Sequence, residues 1–333
     1  MSTPNAPVAD EKPVPRGNPF RSLNFSGRFW IALVLVVGVI LLGLAGYVYP
    51  TGPGEKVASL YDPPGAGLPL GSDNFGHDVL AVLMAGTRTS LIIGLVAGIV
   101  ATVIGVIVGL VAGYIGGWFE ELLMGATNVV LAIPSIIVLI LISISLPQSS
   151  IWSLAVVIGI TSWPWTARAV RAQASSIATR EHIDVARLSG ARLPGILLRD
   201  VLPYILSYTV MAFVLQVAGA ILAESSLSML GLGPSGANSL GIQLHWALAF
   251  QAVGGGAWWA FLPPTIVLTL VSFGFLLLQS SLDEVFNPRL RRGKRKQMKQ
   301  AAARRAEEAR LLAAQTARTV QGPAGAPRGK ELA

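Results

Sequence analysis

Five runs of this chain contain no Asp, Glu, Lys or Arg: 29–54, 89–119, 122–167, 201–223 and 225–282. A helix crossing the hydrocarbon core of a bilayer needs about 20 apolar residues, so each run is long enough to cross. Backbone groups in lipid must be satisfied internally, which leaves helices or a closed barrel, and the absence of period-two alternation selects helices. Pro147-Gln148-Ser149-Ser150 divides the run 122–167 into two. The expectation is an all-α integral membrane protein with six transmembrane helices near 29–49, 89–114, 121–145, 151–171, 201–224 and 262–282. Charged residues make up 13% of the chain, against about 25% in soluble domains, and the mean hydropathy is +0.61.

The first run follows a 28-residue polar tail, is longer than the apolar core of a secretory signal and lacks a small-x-small cleavage pattern. It reads as a retained span with Tyr47-Val48-Tyr49-Pro50 as its interfacial exit.

Orientation follows from the basic residues. With six spans, Lys12, Arg16, Arg21 and Arg28, the six arginines from Arg168 to Arg199, and the tail from Arg289 to Lys330 share one side, 23 of the 25 Lys and Arg. Only Lys56 and Arg88 fall on the other. The positive-inside rule places both termini and the 168–199 segment in the cytoplasm. The net charge of +8 then reflects topology and anionic lipid, with no need for nucleic acid.

Zero cysteines exclude a disulfide framework and a thiolate metal site. His77, His182 and His245 are far apart and read as loop or interfacial residues. No Gly-x-x-x-x-Gly-Lys-Ser/Thr is present, so the chain has no P-loop, and no hydrolytic Ser/His/Asp constellation is recognisable. This chain is not expected to be an enzyme.

Several features qualify the spans. In the outer loop 50–88, Asp73 or Asn74 is expected to cap a short helix whose Val79, Leu80, Val82 and Leu83 lie along the membrane surface. Gly94, Gly98, Gly105, Gly109 and Gly113 form a ridge suited to close packing, either among the chain's own helices or against a partner chain. Pro164 should kink or end the fourth span. Glu224 is the one acid between Val201 and Leu282; with Ser225 it is a candidate pore or outer-gate residue, or an interfacial residue that shapes the following loop. Residues 234–261 are too polar to span, and 291–333 read as a basic helix on lipid followed by disorder.

The polar segment Arg180–Pro203 is the most patterned part of the chain. Ile183, Val185, Ala186, Leu188, Leu193, Ile196 and Leu197 recur at helical spacing, while Gly190 and Pro194 break the helix. Two short helices joined at Gly190 would turn an apolar stripe toward the membrane domain and leave Glu181, Asp184 and Arg187 facing the cytoplasm. Such a knuckle suits a cleft in a soluble protein.

The order Asp184-Val185-Ala186, Gly190, then Leu202-Pro203 resembles the EAA loop of ABC importer permeases. Asp184 stands where Glu is usual, Val185 where Ala is usual, and Asp200 where an aliphatic residue is common. Gly71-Ser72-Asp73 through Leu80, Gly113 through Trp118, Ala223 through Gly233, and Leu282 through Leu290 resemble, in that order, motifs of the C-type permeases of dipeptide/oligopeptide/nickel importers.

The resemblance implies a type I ABC importer permease fold with a cytoplasmic coupling helix in a bacterial or archaeal plasma (inner) membrane. It implies a cytoplasmic tail over 1–28, a first helix and outer loop over 29–87, a transmembrane domain over 88–284 and a basic tail over 285–333. The implied partners are a B-type permease subunit, two ABC ATPase subunits and an external solute-binding protein. The ATPase-coupling residues would be Glu181, Asp184, Val185, Ala186, Arg187, Gly190, Leu202 and Pro203. No cofactor is expected on this chain, because ATP and Mg are used by the partner ATPases. The cargo is expected to be a peptide, with nickel complexes or oligosaccharides as alternatives. A secondary transporter or channel is the competing class, but it would need intramembrane charges for ion coupling, and Glu224 alone is available.

Overall fold

The computed structural model describes residues 26–146 and 150–286. Its elements are α1 (Gly27–Ala45), α2 (Val79–Ile115), α3 (Gly117–Ala132), α4 (Ser135–Ser145), α5 (Ile151–Ala178), α6 (Glu181–Leu188), α7 (Leu193–Gly195), a π-helical stretch over Ile196–Val201, α8 (Leu202–Met229), α9 (Leu240–Ala249) and α10 (Trp258–Phe286). The described residues up to Ser281 belong to one compact unit, and Leu282 begins a second. The N-terminal tail over 1–25, the interruption at 147–149 and everything after Phe286, including the closing Asn287-Pro288-Arg289-Leu290, lie outside the described residues.

Among the described residues, four helices, α1, α2, the continuous Leu193–Met229 and α10, are long and apolar enough to cross a membrane; α3 and α4 add a fifth crossing if the bent pair counts as one. α5 is 28 residues long, but Thr161, Ser162, Trp163, Pro164, Trp165 and Thr166 dilute its apolar character. The third span, expected near 121–145, departs from expectation: it is two helices, α3 and α4, meeting at 79° across Ile133 and Pro134. The N-cap of α4 is Pro134 and the C-cap of α3 is Ile133 in extended conformation. The ring of Pro134 disfavours helical geometry in the residue before it and removes a backbone donor, which stops α3 there.

A second difference concerns the outer loop. No separate surface helix precedes the second span; Val79 starts a single 37-residue helix. Its cap is Asp78, whose carboxylate accepts from Leu80 N at 2.9 Å, and Val79, Val82 and Leu83 are buried. Asp73 instead closes its own turn, its Oδ1 accepting from Phe75 N and His77 N at 2.8 and 2.9 Å. Ser72, fully buried, donates to the Ser59 carbonyl and accepts from Asp62 N, both at 2.7 Å. Trp259 at the start of α10 donates to the Ser72 carbonyl at 3.1 Å. The loop is therefore packed on the helix ends.

The glycine ridge of α2 serves the chain's own helices. A Cβ at Gly98 would stand 2.6 Å from the Val217 side chain of α8, and one at Gly109 would stand 2.6 Å from the Ala167 carbonyl of α5. Without a hydrophobic difference between lipid and helix, close van der Waals contact of this kind holds membrane helices together. Two polar ties reinforce the packing: Gln216 on α8 donates to the Ser162 carbonyl and to Thr166 Oγ1 on α5 at 2.9 and 2.7 Å, and Arg171 on α5 pairs with Glu120 on α3. Pro164 is buried within α5 and does not end it; the helix runs on to Ala178, past the expected limit at 171.

Candidate functional site

The segment expected to act as a coupling helix folds as α6, an eight-residue helix. A helix that short is not stable alone in water, so its contacts decide whether it exists. Ile183 is the anchor. It is fully buried and packs in one cluster with Val106, Leu110, Val170, Ile196 and Val201, which joins α6 to α2, α5 and the π stretch.

Gly190 ends α6 at φ +73°. Gly190 N donates to the Arg187 carbonyl and Ala191 N to the Ala186 carbonyl, at 3.0 and 3.1 Å. These two bonds form the Schellman closure, which needs a left-handed residue at the turn. Nothing lies within 4 Å of a Cβ built on Gly190, so backbone conformation, not space, calls for glycine here.

Arg187 ties α6 to the far end of α2. Its Nε donates to the Tyr114 hydroxyl at 3.0 Å, and its guanidinium carbon stands 4.9 Å from the Tyr114 ring centroid. Arg187 also pairs with Asp184 at 3.2 Å. The Tyr114 hydrogen bond raises the Arg187 pKa above its usual value; burial opposes this and the Tyr114 and Asp184 charges assist. Glu181 and Asp184 in the first turn and Arg187 in the last match the helix dipole.

The expected apolar stripe is split. Ile183, Ile196 and Leu197 face the core, with Ala186 packed at its edge. Val185, Leu188 and Leu193 do not join them: they are 62%, 89% and 40% exposed. The reason is angular. Residues 183 and 185 lie on different sides of a 3.6-residue turn, so a short helix that buries Ile183 must turn Val185 outward. Glu181, Asp184, Val185, Arg187, Leu188 and Gly190 are all exposed, with Arg187, four residues after Ile183, turned toward Tyr114.

The second expected short helix is a single turn, Leu193–Gly195, followed by the π stretch. Leu202 N donates to the Leu197 carbonyl five residues back. Pro203 has no N–H and its ring crowds the carbonyl four residues before it; a widened turn relieves both. Leu202 is half-buried against the core cluster while Pro203 is exposed, so these two residues set the join to α8 rather than the outward surface.

Glu224 and Ser225 stand near the opposite end of α8 and are separate from the α6 site. Glu224 is fully buried. Its Oε1 accepts from Ser228 Oγ at 2.6 Å, and its Oε2 from Ser90 Oγ at 2.9 Å and Ser225 Oγ at 3.4 Å. Ser90 Oγ in turn accepts from Leu240 N at 3.2 Å. The carboxylate thereby joins α2, α8 and the start of α9. Gly241 permits the approach, since a Cβ there would stand 2.7 Å from Ser225 Cα.

Sequence reasoning missed Tyr114, although it lies in the Gly113–Trp118 motif, and missed Ser90, for which sequence offered no signal.

The described residues form a helical body with several helices long and apolar enough to cross a membrane, with small residues buried in the helix contacts and α6 exposed on one side. Residues 105–292 match the family described as binding-protein-dependent transport system inner membrane component. The chain belongs to that family. It is 34% identical over 269 residues to a protein of Brucella suis named as a peptide transport system permease protein, covering 79% of this chain and 88% of the relative. A protein of Brucella ovis named as a peptide permease is 34% identical over 222 residues, 66% of this chain and 72% of that one. The oligopeptide transport system permease protein OppC of Lactococcus lactis subsp. cremoris is 31% identical over 221 residues, 66% of this chain and 75% of that one. The family is a transporter component of the inner membrane and not an enzyme.

Proposed function

We propose that this chain is one of two permease subunits of an ATP-driven peptide importer and that α6 carries its contact with the ATPases. The observation that supports this most is the exposure of Leu188 and Val185, 89% and 62%, on a helix fixed from behind by Ile183. Apolar side chains held rigidly in water at the centre of a charged rim have the makeup of an interface centre. Glu181, Asp184 and Arg187 supply the rim.

Mechanically, ATP binding moves the two ATPases together and the knuckle moves with them. Because Ile183 shares its cluster with α2, α5 and the root of α8, displacement of α6 passes into three helices rather than being lost in a loop. The π stretch at Ile196–Val201 is the compliant point between knuckle and span. A shift in pore state requires that the ATPase contact differ between the two states.

In this reading the chain has six spans, with both termini and α6 in the cytoplasm. The 29–87, 88–284 and 285–333 boundaries follow from it, as do a B-type permease, two ATPases and a solute-binding protein as partners. Peptide cargo is supported by the names of the relatives above. Uptake of labelled di- and oligopeptides by the assembled transporter tests this; uptake of a nickel chelate or an oligosaccharide in place of peptide would refute the cargo, and ATP-independent uptake would refute the class.

A further inference from the structure

Arg88 belongs to none of the groups described so far. It is about 26 residues from Tyr114 on the continuous helix α2, or about 39 Å at 1.5 Å per residue. That exceeds the roughly 30 Å of a hydrocarbon core, so Arg88 and α6 stand at opposite faces of the membrane. The end of α1 is level with Arg88: a Cβ at Gly43 would lie 3.2 Å from Arg88 N, and α1 closes at Ala45. The Arg88 guanidinium carbon lies 4.3 Å from the Tyr47 ring centroid. Among the described residues, no carboxylate is within ion-pair distance of it.

Beside this cation runs an apolar groove with about 370 Å³ of free space, formed by α1, α2, α8 and α10. Ile40, Leu44, Leu91, Leu95, Phe213 and Phe275 line it. Leu44 and Leu95 are 50% and 48% exposed, so the groove opens sideways, where acyl chains would be. An ionised side chain at a membrane boundary is costly unless an anion or water meets it, and an aromatic face satisfies a guanidinium only in part. Free phosphate would meet the charge and leave the groove open. A neutral transmembrane helix would fill the groove and leave the charge unmet.

We infer that Arg88, Tyr47 and this groove form a binding site for one anionic phospholipid in the leaflet opposite α6, with the phosphate on the Arg88 guanidinium and an acyl chain in the groove. The site goes beyond transport itself and does not depend on the cargo.

The test uses the assembled transporter in discs containing equal phosphatidylglycerol and phosphatidylethanolamine. After detergent extraction, the retained lipids are identified by mass spectrometry. Wild type should retain phosphatidylglycerol in preference. Arg88→Gln should lower that preference roughly fivefold, the weight of one basic residue at an anionic surface, and Arg88→Lys should keep most of it. Leu95→Trp, which plugs the groove with the cation intact, should lower the lipid retained, and excess inorganic phosphate should not displace it. Equal lipid ratios for wild type and Arg88→Gln would overturn the proposal, as would displacement by inorganic phosphate alone. So would a cross-link from Leu44→Cys to the second permease in place of bound lipid. If Arg88→Gln does not assemble, wild type alone decides: phosphatidylglycerol should raise its Tm above that in phosphatidylethanolamine, and equal values contradict the site.

Discussion

Arg187 Nε donates to the Tyr114 hydroxyl at 3.0 Å, across 73 positions of sequence, and so fastens α6 to the end of α2. The bond and the stacking can be separated. Tyr114→Phe keeps a ring under the guanidinium and removes the hydroxyl; at this exposed position the loss should be about 0.5 kcal/mol, with transport reduced only slightly per ATP hydrolysed. Tyr114→Ala removes both and should lower that ratio several-fold. Equal ratios for the two variants would show that the ring has no part in coupling.

Gly190 gives a sharper contrast. Its φ of +73° costs a residue with a Cβ about 1–2 kcal/mol, and a β-branched residue is the worst case. Gly190→Val should uncouple ATP hydrolysis from transport while the protein still inserts into the membrane, and Gly190→Asn, which tolerates the left-handed region, should retain most coupling. Paired measurements of uptake and hydrolysis on each variant check the order.

Ile183 is the anchor of a helix too short to stand alone. Ile183→Ala should cost about 2–5 kcal/mol of local stability, seen as faster amide exchange over Glu181–Leu188 with little change in α2. Unchanged exchange there would place the hold on Arg187 alone.

Glu224 accepts from three serine hydroxyls without a cation near it among the described residues. Glu224→Gln keeps an acceptor and should be mild, about 1 kcal/mol. Glu224→Ala strands the Ser90 and Ser228 hydroxyls and opens a cavity, and should cost about 2–4 kcal/mol. Thermal unfolding in detergent reads both.

Much of this fold is legible in sequence because lipid imposes harsh rules: uncharged runs of sufficient length became helices, and the four-residue glycine spacing became backbone contact. What escaped were decisions made by single residues. Pro134 lies inside an uncharged run and hydropathy passes over it, yet it splits the expected third span into α3 and α4. Asp78 rather than Asp73 caps α2, because Asp73 spends its carboxylate on its own turn and Asp78 is also held by Tyr49. At α6 the apolar periodicity predicts an inward face, yet Val185 and Leu188 face out. Apolar periodicity identifies a surface to be covered and does not say whether the cover is this chain or another.

Tyr49 donates to Asp78 Oδ2 at 2.8 Å, just beyond the end of α1. Burial first, then this hydrogen bond and the Asp78 charge, push the Tyr49 pKa up to about 12 from 10.0. A raised folded-state pKa means the folded form holds the proton more tightly, so this contribution is fully present below about pH 10. It is lost as pH rises toward about 12. Stability should therefore be flat in this respect near neutrality and fall above about pH 10, and Tyr49→Phe should lessen that fall. Tyrosinate absorbance of wild type minus Tyr49→Phe checks the titration directly.

In the proposed importer, the outward face of α6 meets an ATPase. The chain has no cysteine, so Leu188→Cys supplies a single reactive thiol on that face. In the assembled transporter, a short thiol-to-thiol cross-linker should join Leu188→Cys to an ATPase subunit bearing a cysteine in its docking cleft, with a yield that changes between nucleotide-free and ATP-bound states. A Leu188→Cys thiol that never cross-links to the ATPase and reacts with a soluble maleimide equally well with and without the ATPases present would contradict the account.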